Sequence, residues 1–200
     1  MRRHLRFWPV FQRNLLVWRK LAVPSMLGNL ADPMLYMLGF GYGLGSLLPP
    51  VAGTSYIAFL AAGTVCSSIM MSASFEAMYS GFSRMHVQRT WDAILNTPVT
   101  LEDVVFGETV WAASKSLLSG IAVLIVAAAL GLTHSALALW ALPVMLLTGM
   151  AFAGLGLIMT ALSPSYDFFM YYFTLVVTPM TMLCGVFFPT DRLPEALQTV

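Results

Sequence analysis

The sequence predicts an all-α integral membrane protein: a polytopic bundle of about five spanning helices, preceded by an amphipathic helix lying in the membrane interface. Three observations predict it. Of 200 residues, 58% are hydrophobic and only 10% charged, against roughly 25% charged in soluble domains. Mean hydropathy is +0.79. The charges also leave long gaps: 43 residues between Asp32 and Glu76, 51 between Lys115 and Asp167, and 23 between Asp167 and Asp191 hold no Asp, Glu, Lys or Arg. A spanning helix needs about 20 predominantly apolar residues. The first two gaps therefore hold two passes or most of them, and the third holds one.

Taken in order, residues 10–30 mix Arg13, Arg19 and Lys20 with Phe11, Leu15, Leu16, Val17, Trp18, Leu21 and Val23. The pattern reads as a helix in the headgroup region, with aromatics dipping inward and cations reaching phosphate, rather than as a plain charged tail. Asp32-Pro33 supplies a helix cap and a first helical residue, which predicts the first span over 33–48, broken by Pro49, Pro50 and Gly53. A second span follows over 57–80, then a polar loop over 81–108. Spans three and four are predicted over 110–130 and 136–162, separated by a turn at Gly131 and His134. Ser163-Pro164-Ser165 breaks the chain before a fifth span over 168–187, and 188–200 reads as the start of an extracytoplasmic hairpin.

The first 20 residues hold six of the ten cationic side chains, with no apolar core leading to a small-residue cleavage site, so no cleavable signal is read. Eight of the ten lie in the amino-terminal segment or the 81–108 loop. An even number of spans puts these on one side, and the positive-inside rule makes that side the cytoplasm. Lys115 falls a turn or two inside the third span, within snorkelling reach, and Arg192 alone lies opposite. Five spans leave the chain ending outside at Leu197-Gln198-Thr199-Val200, so a sixth returning span is expected to be missing, as in a fragment or a shortened product. A net charge of +1 gives no reason for a nucleic-acid partner. Cys66 and Cys184, both in apolar runs, read as small buried hydrophobes.

The glycines 39, 41, 43 and 45 lie inside a hydrophobic span with no preceding strand, so they read as small-xxx-small packing faces rather than a dinucleotide loop. Gly149, Ala153 and Gly156 offer a similar face in span four. Lys115-Ser116 lacks the glycines of a phosphate-binding loop, because positions 109 and 114 hold Thr109 and Ser114. The histidines are scattered without zinc spacing, and no nucleophile, base and acid fall together, so an enzyme is not expected. Polar groups at depth are costly and face the protein interior, which singles out Glu76 beside Tyr79. Asp167 sits among Tyr166, Phe168, Phe169, Tyr171, Tyr172 and Phe173. Two readings fit this aromatic segment: interfacial anchoring, or a wall that contacts sugar rings or a lipid headgroup. The loop from Ser83 to Pro98 reads as a short amphipathic helix. On a helix Met85, Arg89 and Asp92 share one face, and Val87, an exposed Trp91 and Leu95 share another. Thr100 with Asp103 predicts a capped second helix. Mixed charge and length mark this loop as a docking surface.

At this loop and near the carboxyl end the chain resembles permeases of the ABC-2 exporter family. The matching residues are Arg84, Trp91-Asp92-Ala93-Ile94-Leu95-Asn96-Thr97-Pro98-Val99-Thr100, Gly107-Glu108, and Gly185-Val186-Phe187-Phe188-Pro189 followed by Leu193-Pro194. Tyr166 to Phe169, Tyr171 to Thr174 and Trp18 to Ser25 resemble the nodulation-factor (lipo-oligosaccharide) export branch in particular. The resemblance implies a six-span fold, of which about five spans are present here, in the bacterial inner membrane. It also implies a permease homodimer with two copies of an ABC ATP-binding subunit. ATP and Mg would then sit on the partner, with no cofactor on this chain. On this reading the coupling loop comprises Arg84, Met85, Arg89, Trp91, Asp92, Thr97, Pro98, Glu102, Asp103 and Glu108. The translocation path comprises Glu76, Tyr79, Tyr166, Asp167, Tyr171 and Tyr172. The outer closure comprises Phe187, Phe188, Pro189, Leu193 and Pro194. A glycolipid or polysaccharide is the expected cargo, with drug efflux or an ATP-independent facilitator as the other readings.

Overall fold

A computed structural model describes residues 6–45, 47–51, 53–132 and 136–189, and every element among them is helical apart from a single bridge between Val51 and Thr54. Helix α1 runs Trp8–Arg19 and α2 runs Ala22–Gly43. Helix α3 runs Tyr56–Val87, turning from α to π winding at Glu76–Ser80 and again at Ser83–Val87. Helix α4 is Thr90–Leu95 and α5 is Leu101–Ala129. A short 3-10 turn, Ala136–Trp140, leads into α6, Ala141–Leu162. Helix α7 runs Phe168–Leu183 with a π segment at Phe173–Val177.

Among the described residues, three helices are long and apolar enough to cross a membrane: Tyr56–Val87, Leu101–Ala129 and Ala138–Leu162. The fifth predicted span is shorter than expected. Its helix ends at Leu183, where Gly185 turns the chain with φ of 77°. Its 16 residues reach about 24 Å at the α-helical rise, less than the ~30 Å of hydrocarbon.

The amino-terminal expectation needs correction. The single helix predicted over 10–30 is divided between two, because the chain turns at Lys20 and Leu21: α1 ends at Arg19 and the remainder belongs to α2. Asp32 does not cap a helix and Pro33 does not begin one, for both lie in the middle of α2. A helix in lipid tolerates an internal proline where neighbouring elements supply what the lost N–H does not, and Pro33 is buried. The loop is also shorter than predicted. Helix α3 continues seven residues past Ser80, and α5 starts at Leu101 on the capping box of Thr100 and Asp103. Only residues 88–100 connect the two helices, with α4 between. The chain enters α4 through Arg89 in the left-handed region, φ 49°, so 83–98 is not one amphipathic helix. His134 lies outside the described residues.

At the centre α3 packs against α2, α5 and α6. Small residues permit the approach. A Cβ on Gly149 would lie 2.6 Å from Ser116 Oγ, and one on Gly156 would lie 2.8 Å from the Ala77 Cβ. Ala153 between them is fully buried, so the predicted close-approach face of α6 is present. In α2 only part of the predicted pattern acts this way. Gly41 meets Ile57 at 2.7 Å, whereas Gly39 and Gly43 face open space. Gly107 admits Val10 of α1 at 2.9 Å. The π winding frees backbone groups, and Thr160 Oγ1 of α6 donates to the Ala77 carbonyl at 3.0 Å. Large apolar side chains such as Leu147 (66% exposed) and Leu175 (70%) cover the outside, as lipid-facing surfaces require. Cys66 and Cys184 are exposed on this apolar surface rather than buried.

Replacing Gly156 with Leu should push α6 off α3. Overpacking of this kind typically costs about 1–3 kcal/mol, read as a lower Tm in detergent. Gly154→Ala, with nothing within 4 Å of its Cβ position, should leave the Tm unchanged.

Candidate functional site: a buried ion network where four helices meet

Glu76 opens the first π segment of α3, and Arg84 lies in the second. Glu108, Trp111 and Lys115 stand at i, i+3 and i+7 on α5, one face of a helix. Packing α3 against α5 brings these five side chains together, and α1 and α4 close over them. Glu108 is 1% exposed and Glu76 5%. Two such carboxylates can be buried only with cations and donors around them.

Arg84 supplies most of what they need. Its Nε donates to Glu108 Oε1 at 3.0 Å and its Nη2 to Glu108 Oε2 at 2.6 Å, the two-pronged fit of a guanidinium to a carboxylate. Its Nη1 donates to Glu76 Oε1 at 3.0 Å. One guanidinium thus holds both acids. Lys115 Nζ donates to Glu76 Oε2 at 2.7 Å, so two cations balance two anions. The remaining acceptor positions are filled by neutral donors. Trp111 Nε1 reaches Glu76 Oε1 at 2.7 Å and Ser80 Oγ reaches Glu76 Oε2 at 3.0 Å. Asn14 Nδ2 of α1 reaches Glu108 Oε2 at 3.0 Å, and Trp91 Nε1 of α4 reaches Glu108 Oε1 at 3.3 Å. Each carboxylate therefore accepts four hydrogen bonds, and α1, α3, α4 and α5 are bonded through them.

Next to the network Arg13 donates to Asn14 Oδ1 at 3.1 Å and to Thr90 Oγ1 at 3.2 Å. Burial and then the nearby Arg84 charge lower the Arg13 pKa from its ordinary value, with Glu108 opposing them. Trp18 and Phe11 pack edge-on against Trp111, at 6.0 and 5.8 Å between ring centres.

These positions redistribute the predicted site. Trp91, expected on the outside, is 7% exposed and roots α4 in the core. Glu108 and Arg84 belong to the same interior network and not to an open loop. Met85 is half-buried against the core, whereas Arg89, Asp92, Thr97, Pro98 and Glu102 are exposed; Asp103 serves the helix cap. Lys115 does not snorkel outward, because Glu76 holds it. Of the path residues, Glu76, Tyr79 and Tyr166 line one cavity of about 460 Å³, with the Tyr79 and Tyr166 rings stacked at 6.0 Å. Tyr172 is buried at 4% in an aromatic cluster with Phe82 and Phe169, while Asp167 and Tyr171 are exposed. At the other end of the bundle Phe187, Phe188 and Pro189 line a second cavity of about 890 Å³ with Tyr36, Phe40 and Tyr56. The Tyr56 hydroxyl donates to the Phe187 carbonyl at 3.0 Å. Leu193 and Pro194 lie outside the described residues. Asn14 and Trp111 were not singled out from the sequence, although the i, i+3, i+7 spacing of Glu108, Trp111 and Lys115 is visible there. Among the described residues no His, Cys, Asp and Glu side chains group to hold a metal.

Glu108→Ala should strand the Arg84 charge and release α1 and α4 together. Removing one partner of a buried pair typically costs about 3–5 kcal/mol, so folded yield in detergent should fall sharply. Protease nicking between residues 88 and 100 should rise at the same time. Glu102→Ala, exposed on the surface, should do neither.

The pattern of the ABC-2 type transporter family matches residues 6–200 of the chain. Over 196 residues it is 53% identical to nodulation protein J of Rhizobium leguminosarum bv. viciae, covering 98% of this chain and 76% of that protein. The same-named protein of Rhizobium meliloti (strain 1021) is also 53% identical, over 96% of this chain and 73% of that one. The inner membrane transport permease YadH of Escherichia coli (strain K12) is 27% identical over 93% of this chain and 71% of its own length. No solved structure matches the chain. With the family pattern covering nearly its whole length and relatives at this identity, the chain belongs to the ABC-2 type transporter family of membrane permeases.

Proposed function

We propose that the chain is the permease subunit of an ATP-driven exporter that moves a lipo-oligosaccharide or related glycolipid outward across the bacterial inner membrane. On this reading the amino terminus and residues 88–100 face the cytoplasm. Two copies of a separate ATP-binding subunit dock there on a permease homodimer, and ATP and Mg are bound by those partners. The cationic side chains crowded at that end support the orientation. The similarity to nodulation protein J supports the cargo class.

The observation that carries the proposal is the bond from α4 into the interior. A docking element must be exposed to its partner and rigidly tied to what it moves. Helix α4 presents Asp92 and the preceding Arg89 outward. Its Trp91 binds Glu108, which Arg84 joins to Glu76. Movement imposed on α4 is thereby passed to α3 and α5 without crossing a soft segment. Arg89 also holds a backbone conformation, φ 49°, that glycine or asparagine would adopt at less cost. An arginine kept there argues for use of its side chain. A ligand shifts a two-state equilibrium only by its differential affinity for the two states, and ATP supplies that difference through the partner subunits.

Reversing the exposed charges, Arg89→Glu with Asp92→Arg, should reduce co-purified ATP-binding subunit at least tenfold and abolish export in cells, with permease yield unchanged. Trp91→Phe should keep the partner bound but lower export per ATP hydrolysed. Undiminished co-purification after charge reversal would remove α4 from the docking surface.

A further inference from the structure

Asp32 lies eleven residues into the 22-residue helix α2, about 15 Å from its start at the α-helical rise. It lies beside Ser72, the middle of the membrane-crossing helix Tyr56–Val87, which is about half-way through a bilayer core. It is exposed, and among the described residues no hydrogen bond or ion pair reaches it. A bare carboxylate at that depth cannot face lipid chains. Around it are Asn29 and, from α3, Ser67, Ser68 and Ser72, which together line a cavity of about 250 Å³. Pro33 adds one more polar group. Having no N–H, it leaves the Asn29 carbonyl without its usual intrahelical donor. Asn29 Nδ2 donates to Ser72 Oγ at 3.3 Å, which fixes this polar set between the two helices.

Aromatic rings continue the same face toward both ends. Tyr166 and Tyr79 line the inner cavity, and Tyr79 stacks on Phe75 at 4.8 Å. Phe75 and Tyr36 line the cavity around Asp32. Tyr36 stacks on Phe40 at 5.9 Å, and both rings meet Phe187 in the outer cavity. The outer and middle cavities share Tyr36, and the stacked pair Tyr79–Phe75 joins the middle cavity to the inner one, with a carboxylate, an amide and serine hydroxyls at the midpoint.

We propose that the Asp32 cavity is a mid-depth saccharide subsite on the route taken by the cargo. Asp32 accepts hydrogen bonds from sugar hydroxyls, the Asn29 and serine groups complete the polar contacts, and the Phe75 and Tyr36 rings stack on sugar faces. The site deepens the export reading and rests on it for its role in transport. A neutral polyhydroxylated head fits because hydroxyls both donate and accept, and because each ring edge offers an apolar face to an aromatic wall.

The test uses Met71→Cys, an exposed position lining this cavity, in the full chain with Cys66 and Cys184 replaced by serine and its ATP-binding partner present. A charged, membrane-impermeant thiosulfonate should label it, because a thiol facing lipid stays protonated and inert. A synthetic acylated oligosaccharide should slow labelling at least tenfold, and the matching fatty acid should not. Asp32→Ala should abolish that protection and Asp32→Glu should retain part of it. The Asp32→Ala chain should still co-purify with its ATP-binding partner, which shows it folded, and should still label without ligand. No labelling of Met71→Cys, or protection that survives Asp32→Ala, overturns the site. Export measured in the same cells separates the two claims. Export with an inert Met71→Cys leaves the exporter reading standing without the site. Labelling and sugar protection in a chain that exports nothing leave the site standing without that reading.

Discussion

Moving a carboxylate from water into a medium of low dielectric costs several kcal/mol even after relaxation. Glu76 and Glu108 stay buried because Arg84 and Lys115 lie against them. The remaining architecture follows from that requirement. Arg84 must reach two acids on two helices at once, so α3 has to run past the point where the sequence turns polar. Lys115 must turn inward, so α5 must present one polar face to α3 along two turns. The spare lone pairs of Glu108 must be met, and the donors come from α1 and α4. The amino-terminal helix and a connecting loop are thereby fastened to the bundle by groups that could not be left unpaired. Such a cluster contributes less to net stability than its bonds suggest, since desolvation offsets most of the attraction. What it secures is the relative placement of four helices.

The surface obeys the complementary rule. Leucine, valine and isoleucine side chains face outward, and the polar groups collect between helices or around cavities, the reverse of a water-soluble fold. Close packing inside depends on small residues rather than on large apolar ones: α6 meets α3 and α5 through Gly149, Ala153 and Gly156. In lipid no hydrophobic gain accompanies helix association, so backbone proximity and shared hydrogen bonds decide which faces meet. The Ser68 and Ser119 hydroxyls, 3.2 Å apart across α3 and α5, are one such bond.

Much of this was legible in the sequence, and the failures have physical causes. Gaps between charges located the long helices, because a charge in hydrocarbon is costly whatever the fold. The same reasoning misplaced Glu108 and Arg84. A polar stretch reads as an exposed docking surface, although polar residues can equally be buried against one another, and only the packing of α3 on α5 reveals the pairing. Asp32-Pro33 misled for a related reason. Both residues favour helix starts by local propensity, but the surrounding helices override that preference. Thr100 and Asp103 were read correctly as a cap because that signal is entirely local. The burial of Trp91 had no local signal at all, since its partner is seventeen residues away on another helix.

The π winding of α3 sets how the junction is addressed. Each residue on an α-helix is turned about 100° from the one before it, and a π turn carries more residues per revolution than an α turn. Arg84 therefore reaches Glu108 only because the winding between Tyr56 and Val87 is locally relaxed at Glu76–Ser80 and Ser83–Val87. The segment behaves like a vernier. Gaining or losing one residue there would leave the composition almost untouched, yet would swing the guanidinium a quarter-turn or more away from its acids. In lineages descended from this chain, length in that stretch should be held more tightly than the identity of its lipid-facing side chains.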